Sequence, residues 1–119
     1  MKTSELIGSA LDWAVAKAEG KSNEWMHDHK IGYVNSASTD WAQGGPIIER
    51  EEIELHVLPS GLDISLHPTY QRGDFWEANL WPPDVDIIQI CAPTPLVAAM
   101  RCYVASKLGD EVEVPEELK

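Results

Sequence analysis

Positive charge is scarce in this sequence: nine Lys and Arg stand against 20 Asp and Glu, a net charge of -11. A field of that sign repels phosphate backbones and attracts basic surfaces, which argues against direct nucleic-acid binding. Cysteine is nearly as scarce. Cys91 and Cys102 have no CxxC spacing, so neither a zinc site nor a disulfide framework follows. Long apolar runs are missing too. Gly8, Ser9 and Asp12 interrupt the opening "MKTSELIGSALDWAVAKAEG", and no later stretch approaches membrane-spanning length, so the chain reads as soluble and cytosolic. No Ser, His and acid arrangement assembles without arbitrary choice. "GGP" at Gly44 to Pro46 lacks the Lys-Ser/Thr of a phosphate loop, and "MHDHK", with His27 and His29, lacks further ligands at a recognised spacing. No metal, cofactor or catalytic residue is expected.

What is present is globular. The hydrophobic fraction is 44% with five tryptophans, and a single domain over residues 1–119 is long enough to bury a core. An acidic tail from about residue 110 is expected to fray. Ile7, Leu11, Ala14, Val15 and Ala18 mark one face of a first helix, stopped by Gly20. The last helix is better marked, with Thr94 as N-cap, Pro95 in its first turn, Lys107 in its last and Gly109 beyond. Between them Ile53, Leu55 and Val57 alternate with Glu52, Glu54 and His56. "PSG" then turns into Leu62, Ile64 and Leu66, and a third run follows at Trp76, Ala78 and Leu80. "VDIIQICA" is either a short strand, a buried crossover or the approach to the last helix. These elements predict an α+β fold: a small antiparallel sheet of about three strands, two helices on one face, in the order helix, strand, strand, strand, helix, with a glutamate face in water. The last helix is apolar or small nearly all round, which predicts burial on two sides. Its small side (Ala98, Cys102, Ala105) either receives the first helix or pairs with a second copy, and the monomer is favoured.

One loop stands out, "STDWAQGGPIIERE" from Ser38 to Glu51. Gly44 and Gly45 are free to take positive φ, Pro46 to open a single helical turn, and Ile47 and Ile48 to pin it. Asp40, Trp41, Gln43 and Arg50, with Arg101, offer a carboxylate, an indole, an amide and guanidinium groups, the chemistry of a pocket. The competing reading is structural: Asp40 caps the turn, Trp41 plugs the sheet edge and Arg50 pairs with an acid. Trp13 lies opposite the apolar face of its helix, so the loop, a second subunit or a partner must cover it.

Three phrases, "LDWAVAKAEG", "STDWAQGGPIIERE" and "PTPLVAAMRCYVASKLGDEVEVPEEL", together resemble the NinX-like family from the nin region of lambdoid bacteriophages. They cover both helices, the loop and the start of the first strand; Leu55 to Ala92 matches loosely. The resemblance implies an accessory factor made in the cytoplasm of the infected bacterium and supplies no catalytic or ligand residues. Together with the charge it predicts a non-enzymatic factor that binds a host or phage protein of basic character. The alternative is a small-molecule binder or minor enzyme built around the Ser38–Glu51 loop.

Overall fold

The computed structural model describes residues 1–21, 36–58, 69–83 and 85–118. Among the described residues three α-helices, α1 (Gly8–Ala18), α2 (Trp41–Glu51) and α3 (Pro95–Leu108), accompany three strands, β1 (Glu54–Val57), β2 (Trp76–Leu80) and β3 (Ile88–Ala92). The strands form one antiparallel sheet in the order β1-β2-β3, with Leu55, Ala78 and Ile90 in register across it. The fold is α+β. The Leu62–Leu66 run lies outside the described residues, and β1 pairs directly with the run at Trp76. The ambiguous segment before the last helix supplies β3.

α3 is the axis of the core. Thr94 caps it, its Oγ1 accepting from Val97 N at 3.2 Å, and every residue from Leu96 to Val104 is buried. Such a helix needs neighbours on all sides. The sheet takes one: the Cys102 thiol lies 3.2 Å from the Ala78 carbonyl, so the small side of α3 lets the sheet approach there. α1 and α2 pack on α3 from other directions. Burial pushes the Cys102 thiol up to about 12 and that of Cys91 up to about 11, so both are neutral and unreactive at physiological pH.

The expected single turn at Pro46 is an eleven-residue helix with the proline inside it. Pro46 withholds the donor that the Ala42 carbonyl would use, but Ala42 is exposed and its carbonyl has access to water. Neither Gly44 nor Gly45 takes positive φ. α2 ends on Glu52, in the left-handed region at φ 55°, with Ile53 N donating to Ile48 O and Glu52 N to Glu49 O. α1 ends with the same pair of bonds, Lys21 N to Ala16 O and Gly20 N to Lys17 O, and its left-handed residue is the expected Gly20.

Two surfaces differ from expectation. Residues 110–114 do not fray: Val112 and Val114 are buried between exposed Glu111 and Glu113, and Thr3 N donates to Asp110 O at 2.8 Å while Val112 N donates to Met1 O at 2.9 Å. The outer sheet face is exposed at Glu54, His56 and Gln89 and half-buried at Glu77, while Asn79 and Cys91 on that face are buried. Among the described residues, no helix is long and apolar enough to cross a membrane.

Candidate functional site

The Ser38–Glu51 loop is built from the α1 side upward. Asp12, the one acid of α1 and on its second turn, is buried and accepts from Ser38 N at 2.9 Å and Ser38 Oγ at 2.7 Å. This clamp ties the loop at Ser38 to α1, and Trp13 next to Asp12 is only 7% exposed. The Lys17 ammonium sits 5.4 Å from the Trp13 ring centre, a cation over the indole face.

Burial raises the Asp12 pKa, and the two Ser38 hydrogen bonds only partly oppose it. A carboxyl whose folded pKa lies above its unfolded value binds more protons in the native state. Stability therefore falls as pH rises from the ordinary carboxylate value through the folded pKa, and the loss is complete above it. Asp12→Asn keeps an oxygen for Ser38 and removes that charge. The variant should gain on the wild type as urea melts are moved from about pH 4 to pH 7, and parallel curves would sink this account of Asp12.

Beyond the clamp, polar groups satisfy one another. Asp40 caps α2, its Oδ1 accepting from Ala42 N at 2.9 Å, while Gln43 Nε2 donates to Asp40 Oδ2 at 3.3 Å and Gln43 Oε1 accepts from Ser36 N at 2.9 Å. Both side chains are thereby employed in the helix start. Trp41, the first residue of α2, has no such role: it is 53% exposed, so it does not plug the sheet edge.

Arg50 is at the other end of α2, ten residues along and so about 15 Å from Asp40 at the helical rise. It donates from Nε to Glu51 at 2.8 Å and from Nη1 and Nη2 to both Glu19 oxygens at 3.3 and 3.1 Å, and Nη2 also reaches the Tyr103 hydroxyl at 3.1 Å. The Tyr103 hydroxyl in turn donates to Glu19 at 2.7 Å, and Lys107 approaches Glu51 at 3.7 Å. This cluster ties the ends of α1 and α2 to α3. Bonds to Glu51 above all, and then to Glu19, raise the Arg50 pKa, while burial and then Glu19 raise that of Tyr103. Glu19 and Tyr103 carry no motif, and only the helix packing brings them to Arg50.

Arg101 belongs to neither group. It is buried, donating from Nε to Leu6 O at 2.7 Å and from Nη1 to Cys91 O at 3.0 Å, and so ties the lead-in to α1 to the end of β3. The structure therefore divides the sequence-derived set. Asp40 and Gln43 share one end of α2, Arg50 holds the other, Trp13 and Arg101 are interior, and of the exposed members Asp40, Trp41 and Arg50 only Trp41 is a large apolar side chain. Among the described residues no cluster of His, Cys, Asp and Glu is arranged to hold a metal ion; His27 and His29 lie outside them.

No curated protein matches the chain. The family model described as bacteriophage P22 NinX matches residues 2–107, a span that contains the capped loop, all of α1, α2 and the sheet, and α3 up to its last residue. With that span matched, the chain belongs to the bacteriophage P22 NinX family.

Proposed function

We propose that this bacteriophage protein is a non-enzymatic binding factor that engages a basic host or phage protein in the host cytoplasm, as a monomer, through Trp41 at the start of α2 and the acidic residues at its far end. The observation that carries the reading is the contrast at the start of α2. Ser38, Asp40, Gln43 and Arg50 each have an internal hydrogen-bonding task, whereas the largest apolar side chain of the loop, mounted on a capped helix, is 53% exposed. Tryptophan on a rigid support loses little entropy on binding and is over-represented among residues that dominate interfaces. Glu49, Glu52 and Glu54 are exposed at the far end of α2 and the start of β1, and the net charge of -11 favours a basic partner.

A small-molecule pocket built from Asp40, Gln43 and Arg50 has less support, because the helix separates these groups and each is already hydrogen-bonded.

The test is recovery of a partner from infected cells with tagged protein, followed by Trp41→Ala. The variant should lose the partner while its unfolding free energy stays within about 0.5 kcal/mol of wild type, as for other exposed positions. Binding should also weaken as salt is raised. Recovery of chaperones alone, or a partner held equally by Trp41→Ala, would refute the reading.

A further inference from the structure

Among the described residues β3 has a neighbouring strand on one side only. The peptide groups of Cys91 face the other side, where its N–H donates to Thr69 Oγ1 at 2.9 Å and its carbonyl accepts from Arg101 Nη1 at 3.0 Å. Along an antiparallel strand the backbone groups of alternate residues point the same way, so Gln89 directs its own N–H and C=O to that outer side. Gln89 is exposed. Thr69 and Arg101 close the edge at Cys91, and among the described residues no group closes it at Gln89.

A cleft of about 370 Å³ lies along this open part, lined by Ile88 and Gln89 of β3 together with Lys2, Ser4, Asp110 and Glu111. It is held in shape by the pairing of the chain start with the segment after α3, where Lys2 and Glu111 form a two-residue bridge. An unpaired N–H and C=O beside a cleft is what an added strand requires: main-chain bonds hold the incoming segment, and alternate side chains enter the cleft. Two carboxylates against one ammonium in the lining, on a chain of net charge -11, select a positive side chain for that position.

We propose that the outer edge of β3 binds an extended segment of a basic protein as a fourth strand, with a Lys or Arg of that segment between Asp110 and Glu111. The class of partner rests on the protein-binding reading above, but the surface is separate from Trp41 and the two fail separately.

The experiment selects a displayed library of short random peptides against the full chain and measures the enriched peptides, made synthetically, by fluorescence anisotropy. Basic, alternating sequences should be enriched, and on binding they should shift the backbone amide resonances of Ile88 to Ile90. Gln89→Pro removes the outward donor without touching the β2–β3 bonds. It should weaken binding by about tenfold, the worth of one backbone hydrogen bond at most, with the melting temperature little changed. Asp110→Lys with Glu111→Lys should weaken the basic peptides further. Failure to enrich any peptide, binding that ignores Gln89→Pro and leaves the β3 resonances in place, or a cleft that takes up only small fragments would overturn the proposal. Peptides lost on Trp41→Ala but kept by Gln89→Pro would overturn it while leaving the protein-binding reading in place.

Discussion

Arg101→Ala should destabilise the protein by about 4 kcal/mol, through two carbonyls left without donors and the space left by the side chain. The guanidinium is 7% exposed and both of its hydrogen bonds are to backbone carbonyls, Leu6 O and Cys91 O. Removing it leaves acceptors that no compensating substitution can delete, unlike an ion pair whose two partners are replaced together. Desolvation lowers the pKa of Arg101, with Asp74 and Glu5 countering by Coulomb attraction, so holding the charge inside has a cost that the two carbonyls offset. Arg101→Lys should fall between wild type and Arg101→Ala, because a single ammonium lacks the fork that spans both acceptors. Urea denaturation measures both variants. A loss below about 1 kcal/mol in Arg101→Ala would mean that the carbonyls find other donors. An arginine serving a surface pocket would show the opposite pattern, with stability unchanged and ligand binding lost.

Elements with their signals at their own ends were legible in the sequence. α3 announced itself through Thr94, Pro95 and Gly109, and α1 through Gly20, because caps are local chemistry. α2 was hidden for the same reason. Its interior holds Gly44, Gly45 and Pro46, and its stop is Glu52 at φ 55°, where a glycine would have marked the turn. Ile53 instead secures that stop by its own burial and its bond back to Ile48 O. β3 was ambiguous because an apolar run of that length suits a buried strand and a crossover equally.

The site was less legible than the fold. Asp40 as a cap can be read from spacing, but the separation of Asp40 from Arg50 follows from the helix length that the glycines and the proline concealed. Arg101 looked available because arginine is usually exposed, and nothing near it in sequence names Leu6 or Cys91 as its partners. The Asp12–Ser38 clamp joins residues 26 apart, although a lone acid in an apolar helix is a signal of a buried acceptor that a sequence reading can use.

Gly44 and Gly45 are neighbours in one helix, yet alanine should cost far more at the first than at the second. A methyl group on Gly44 would lie 2.5 Å from the Ala37 carbonyl oxygen and 2.5 Å from Leu96 Cδ2, whereas one on Gly45 would meet nothing within 4 Å beyond its own chain neighbours. Leu96 can rotate its end aside. Ala37 cannot retreat so easily, because it is buried and the next residue, Ser38, is clamped to Asp12 at 2.7 and 2.9 Å. The glycine thus sets how closely α2 and its leading loop approach α3. Gly44→Ala should cost about 2 kcal/mol after the gain in helix propensity is deducted, and lower Tm on the order of 8 °C. Gly45→Ala avoids that clash, but a Cβ on the residue before Pro46 crowds the proline ring in the helical region and offsets the propensity gain, so stability should change by less than about 0.5 kcal/mol. Calorimetry of the two variants separates packing from propensity. Equal shifts of the same sign would show that the loop yields freely, and that the clamp does not fix the start of α2.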